Sequence, residues 1–188
     1  EILDNDFYGE NFTVQNTAGI NAGQAVAMKV YGDRCAFKNI KLTGYQDTHL
    51  TGNGRQYYES AHIHGTVDFI FGGGDVFFNE CLLYLEARTT GNVIVAPSTQ
   101  AASQWGYVFY NCTIDGDAAT QNNNYHLGRP WQNAARAIYI NTRMNLVPVA
   151  EGWRNMSAFP ALFAEYNSMT ANGNPIDLNN RRDNYTVN

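Results

Sequence analysis

Tyr107-Val108-Phe109-Tyr110-Asn111-Cys112-Thr113-Ile114 is the stretch on which the fold turns, because versions of it recur along the chain. It joins two short β-prone runs across one turn-forming residue. Related strings stand at Phe12–Asn16, Ala36–Ile40, Tyr57–Ile63, Val76–Leu83 and Ile138–Thr142. With Asn16, Asn39, Ser60, Glu80, Asn111 and Asn141 as the anchor of each unit, the residue two before is Val14, Phe37, Tyr58, Phe78, Phe109 or Tyr139. The residue three after, from the second unit on, is Leu42, Ile63, Leu83, Ile114 or Met144. Apolar positions therefore repeat in phase, and the anchors stand 23, 21, 20, 31 and 30 residues apart. A period of this size with short strands and no helical pattern points to a solenoid. The expectation is an all-β, right-handed parallel β-helix whose later turns carry longer loops. The alternative is an antiparallel sandwich with coincidental spacing; a leucine-rich repeat is excluded because its motif is absent.

The chain is 188 residues long with a net charge of −5, and only 15% of its residues are charged. That length fits a single domain, and the expectation is one β-helix domain over 1–188 that lacks its N-terminal turns and cap. The negative charge argues against a nucleic-acid partner. No run approaches the roughly 18 apolar residues of a membrane span, so no membrane partner is expected. Cys35, Cys81 and Cys112 form no paired motif and read as core thiols. His62 and His64 alternate on one strand without a third ligand, so no metal site is expected. Four strings beginning at Asn11, Asn111, Asn155 and Asn184 match the glycosylation pattern, which an Asn-rich chain also produces by chance.

Eight residues after the anchor, the first four units carry Gln24, Asp47, Asp68 and Arg88. Stacked turns place these in one column, with the two carboxylates about 4.8 Å apart along the solenoid. Two such groups resist ionising together, the electrostatic basis of an acid/base pair. In a regular strand Gln46 and Asp47 would face opposite sides, so both reach one groove only if the chain bends there. No GxSxG elbow is present, which disfavours a serine hydrolase.

The flanks of these residues are Gly44-Tyr45-Gln46-Asp47-Thr48 and Gly65-Thr66-Val67-Asp68-Phe69-Ile70-Phe71-Gly72, followed by Leu127-Gly128-Arg129-Pro130-Trp131. In these three segments, in this order, the sequence resembles the pectin methylesterases, carbohydrate esterases with a parallel β-helix fold. Gln24–Ala27, Arg55–Tyr58, Gly152-Trp153 and Phe163–Tyr166 extend the resemblance over about Asn11 to Tyr166. It implies that Asp68 is a nucleophile and Asp47 a general acid and then base. Gln24 and Gln46 would donate to an oxyanion, and Arg129 would pair with Asp68. Trp131 would offer a face to a sugar ring, and Tyr45, Phe71, Arg55 and Arg88 complete the expected substrate-binding set.

The implied activity is hydrolysis of galacturonate methyl esters in homogalacturonan, without cofactor or metal, by a secreted or periplasmic monomer. A binding-only β-helix, an esterase for another ester, and a lyase or polygalacturonase on the same scaffold are the rivals. The paired glutamines favour carbonyl chemistry. The net negative charge predicts a preference for highly methylated pectin. His49 stands where relatives carry an apolar residue, which predicts an altered groove beside Asp47. Met156 replaces a second Trp and leaves one groove wall open to question, and Gly72-Gly73-Gly74-Asp75 departs from the common turn.

Overall fold

A computed structural model describes residues 1–117 and 123–182; Asn184 lies outside them. Its strands form three sheets in which every strand pairing is parallel. The back sheet consists of Tyr8–Glu10, Cys35–Lys38, Arg55–Glu59, Asp75–Asn79, Tyr107–Tyr110, Arg136–Ile140 and Leu162–Tyr166. A side sheet of Thr13–Gln15, Lys41–Thr43, His62–Gly65, Leu82–Leu85, Thr113–Gly116, Arg143–Met144 and Met169–Thr170 follows each of these in turn. The front sheet is shorter, with Met28–Val30, His49–Thr51, Val67–Gly72, Asn92–Pro97 and Tyr125–Gly128. Each turn adds a back strand and then a side strand, and each of the first five adds a front strand after them, always in the same order; this makes a parallel β-helix, as the repeat requires.

The recurrent anchor residue is the corner between back and side sheets. Asn39, Ser60, Glu80, Asn111 and Asn141 all have φ between 49° and 54°, a left-handed conformation in which Asn is enriched. The Asn side chains also hydrogen-bond between turns, Asn141 donating to Asn111 at 3.2 Å and Asn167 to Asn141 at 2.9 Å. Register corrects the first unit: the partner of Asn39 is Asn11, whose Oδ1 accepts from Asn39 Nδ2 at 2.7 Å, and not Asn16. Gly9 occupies the place two before Asn11, and Phe7 supplies the missing ring, packing 5.7 Å from Phe37. A search for an apolar residue at that place passes over this turn.

Inside the helix the residue two before each corner forms a column. Phe37, Tyr58, Phe78, Phe109 and Tyr139 stack with successive centroid distances of 4.8, 5.1, 4.6 and 4.6 Å. These match the spacing of neighbouring strands, so each turn contributes one ring in register. Leu42, Ile63, Leu83, Ile114 and Met144 form a second, fully buried column. The three cysteines are buried free thiols. Among the described residues, no helix is long and apolar enough to cross a membrane.

Candidate active site

The front sheet departs from the regular ladder where Val67–Gly72 meets Asn92–Pro97. Val67 lies opposite Val93 and Ile70 opposite Val95, so Asp68 and Phe69 share the single partner position of Ile94. Such a bulge bends the strand and re-aims a side chain. Asp68 has φ 51°, and on the turn before it Asp47 has φ 63°. His49 pairs with Ile70, and the Asp47 amide donates to the Val67 carbonyl at 3.0 Å, so the two aspartates occupy equivalent bends on adjacent turns. The left-handed bend at Asp47 is what lets Gln46 and Asp47 line one cleft. Gln46 bridges to Gln24, correcting the expected pairing of Gln24 with Asp47.

These residues line a cleft of about 400 Å³ that includes Gln24, Gln46, Asp47, Asp68 and Arg129. Its walls hold Val26, Leu50, Phe71, Ala96, Trp131 and Met156. Backbone bonds from Arg129 to Val95 and from Trp131 to Pro97 carry the loop after Tyr125–Gly128 along the sheet edge. Arg129 Nε donates to Asp68 Oδ1 at 2.9 Å and to Oδ2 at 3.1 Å, and Nη2 donates to Oδ2. This two-nitrogen grip fixes the carboxyl plane. Burial, and then the neighbouring Asp68 charge, push Asp47 up to about 6, while Arg129 draws it part of the way back. Phe71 and Trp131 lie 5.9 Å apart at 58°, and Trp131 is 42% exposed, leaving its ring open to a ligand.

A buried polar network supports the floor from within. His49 is neutral over most of the pH range, because burial lowers it to about 4. It bonds to the Met28 carbonyl at 3.1 Å and to Tyr58 OH at 2.7 Å. Gln56, in contact with Tyr58 at 2.9 Å, donates to the Val30 carbonyl at 3.1 Å. His49 is therefore a core residue that ties the front sheet to the aromatic column, which corrects its expected place in the groove. Gly72 (φ 122°) closes its strand where any Cβ would run into the Thr51 carbonyl.

Other expected residues lie elsewhere. Arg88 is in the loop before Asn92–Pro97 and donates to Gly91, lining a pocket with Ile20 and Asn124. Register explains why: Val67 pairs with Val93, so this turn is longer than the count that placed Arg88 beside Asp68. Arg55 pairs with Asp33 at 2.6 Å on the outside of the back sheet. Tyr45 opens onto a groove of the side sheet with His64 and Tyr84. His64 bonds Glu86 at 3.0 Å and stacks on Tyr84 at 4.5 Å. Val26, inside the Gln24–Ala27 segment, also lines the cleft, as do Lys29 and Leu50, which no motif in the sequence singles out; the one signal for Lys29 is its place as a polar residue between apolar Met28 and Val30, and it is half-buried between those two buried neighbours.

The family model described as Pectinesterase matches residues 2–185. The chain belongs to the pectinesterase family. Pectinesterase 31 of Arabidopsis thaliana is 37% identical over 80% of this chain and 46% of its own length. The pectin methylesterase structure from Aspergillus niger superposes with a TM-score of 0.83 at 34% identity, over 94% of this chain and 57% of that one. A pectin methylesterase in complex with a hexasaccharide gives a TM-score of 0.78 at 26% identity, over 100% and 67%. The chain thus spans between about a third and a half of the length of the curated relatives it matches. As in these relatives, the fold is the right-handed parallel β-helix of a carboxylic ester hydrolase family.

Proposed function

We propose that this pectinesterase-family chain hydrolyses methyl esters of galacturonate in homogalacturonan, outside the cytoplasm and as a monomer, through an acyl-enzyme on Asp68. The observation that supports it most is the pairing of a guanidinium-clamped Asp68 with an Asp47 raised to about 6 in one cleft. Asp68 attacks the ester carbonyl carbon, and the amides of Gln24 and Gln46 donate to the oxyanion that forms. Asp47 gives its proton to the departing methoxide, and methanol leaves. Acylation removes the Asp68 charge, one cause of the raised Asp47 value, so the deprotonated Asp47 is then less opposed as it takes a proton from water. The resulting hydroxide attacks the acyl carbon and frees the acid and the Asp68 carboxylate. Ester and water become acid and methanol, and both aspartates return to their first state.

A value near 6 suits a group that must both give and take a proton close to neutrality. Phe71 and Trp131 offer apolar faces to a sugar and its methyl group, and highly methylated pectin is the favoured substrate because the chain is acidic. The test is methanol release from highly methylated pectin, without added metal, by wild type, Asp47→Asn and Asp68→Asn. Wild type should release methanol, and Asp68→Asn should be slower by about 10³-fold or more. Release by Asp68→Asn at the wild-type rate would overturn the nucleophile. Folded wild type that binds pectin without releasing methanol would replace the esterase reading with a binding-only one.

A further inference from the structure

The two aspartates of the cleft are held in different ways. Arg129 grips the Asp68 carboxyl, whereas the Asp47 carboxyl accepts no hydrogen bond among the described residues. Asp47 is therefore aimed by its backbone alone, and its direction depends on what fixes the left-handed bend at φ 63°. The charged groups facing it are Asp68 on the next front strand and Arg129 in the loop after Tyr125–Gly128; Lys29, on the strand before, lines the same cleft. Thr48, the next residue, is fully buried and reaches the turns on both sides. Its carbonyl accepts the Ala27 and Met28 amides of the turn before, at 2.8 and 3.2 Å. Its hydroxyl lies 3.0 Å from the His64 carbonyl of the turn after and 3.3 Å from the Tyr45 carbonyl. The side strands pair as Lys41 with His62 and Leu42 with Ile63, so the His64 carbonyl stands past that ladder, where the hydroxyl supplies a donor. Gly44 makes room for it, since a Cβ there would lie 2.8 Å from Thr48 Oγ1. One turn on, Gly65 stands in the same relation to Phe69, which has no hydroxyl, and on that turn Arg129 holds the aspartate directly.

We propose that Thr48 is a positioning residue, whose hydroxyl ties the Asp47 bend to the turn that carries Asp68 and so sets where the Asp47 carboxyl stands for proton transfer. This deepens the esterase reading and rests on it. A hydrogen bond fixes distance and direction, whereas an apolar side chain of the same shape fills the space without fixing either. A residue other than glycine gains by leaving the left-handed region, so the bend relaxes toward a regular strand once the tie is gone. In a regular strand the Asp47 side chain would turn away from that of Gln46. Burial and the nearness of Asp68, the two causes of the raised Asp47 value, then weaken together. Thr48 itself touches no reacting atom.

The test compares Thr48→Val, which keeps the shape and removes the hydroxyl, with Thr48→Ser, which keeps the hydroxyl. On highly methylated pectin, Thr48→Val should lower kcat about tenfold per folded molecule at its own optimum pH, with KM within about twofold of wild type, as for a displacement of a fraction of an ångström. Ester cleavage needs Asp47 protonated, so kcat/KM falls as pH rises through its value; in Thr48→Val that fall should come at least about half a pH unit lower than in wild type. Thr48→Ser should restore both. A Thr48→Val enzyme that is less stable but keeps the wild-type kcat and pH profile would overturn the proposal, as would a serine variant no better than valine. Should Thr48→Val fail to fold, Gly44→Ala, which crowds the same hydroxyl, should give the same losses, and wild-type values from it would overturn the proposal equally. If folded wild type releases no methanol, the esterase reading falls separately. The pH dependence of unfolding that Asp47→Asn removes then decides Thr48: a midpoint lowered by Thr48→Val or Gly44→Ala supports the tie, and an unmoved midpoint removes it.

Discussion

The back and front sheets are wound from the same turns, yet they differ in almost every local respect. Back-sheet pairings run in unbroken register across seven strands, with a column of stacked rings behind them. The front sheet has five strands, a bulge at Asp68 and two left-handed aspartates. Beneath it lie buried polar groups, Thr48, His49 and Thr51, where the back sheet has aromatic rings. Repetition stabilises the first because each ring meets its own kind one turn away. Interruption gives the second its chemistry, because an extra residue turns a carboxyl out of the strand pattern and into a cleft whose base is already rigid.

The division of labour can be broken from either side. Phe109→Ala opens a cavity in the aromatic column and should cost about 3–5 kcal/mol of stability. Measured by urea unfolding, that loss should come with methanol release per folded molecule close to wild type. A fall in activity of folded protein as steep as in Asp68→Asn would show that the column shapes the cleft as well as holding the helix.

On the front side the sign reverses. Asp47 stands at about 6 in the folded protein against an ordinary 3.8, so the folded state holds this proton more tightly than the unfolded chain. Its contribution to stability is present at low pH and is lost as pH rises from about 4 to about 6. Asp47→Asn should therefore be more stable than wild type at pH 8 by about 2 kcal/mol, the roughly 3 kcal/mol of the full shift reduced by solvent screening at the cleft, with the gap closing below pH 4. Equal pH profiles from thermal unfolding would mean that the front sheet carries no such strain.

The smallest effect sharpens the comparison at the corners. Asn141 has φ 53° and exchanges side-chain hydrogen bonds with Asn111 and Asn167. Asn141→Ala should cost about 1 kcal/mol more than Asn141→Gly, because only glycine takes the left-handed bend freely. If the two variants unfold at the same denaturant concentration, the corner is held by its neighbours and not by its own backbone preference.

Much of this was legible in the residues because a solenoid repeats its local chemistry. Corners at Asn39, Ser60, Glu80, Asn111 and Asn141, the ring column and the eight-residue step to Asp47 and Asp68 all depend on short-range order within one turn. Counting of the same kind misplaces Arg88 and Asn16. A loop can lengthen a turn without disturbing the strands on either side, and the Gly9–Phe7 exchange disguises the first corner. Arg55 and Tyr45, both inside family segments, point away from the cleft. Segment identity does not say which wall of the helix a residue faces.

The sequence by itself determined the solenoid and the pair of aspartates on successive turns, since both follow from spacing along the chain. Tertiary structure alone decided which side chains share the cleft. It bent the backbone at Asp47 and Asp68, joined Gln24 to Gln46, brought Arg129 onto Asp68 from 61 residues away, and set Lys29 in the cleft with no carboxylate partner among the described residues. The reason is physical: side-chain direction depends on single φ angles and on loop lengths that are absorbed only when neighbouring turns hydrogen-bond, and no count along one strand contains either.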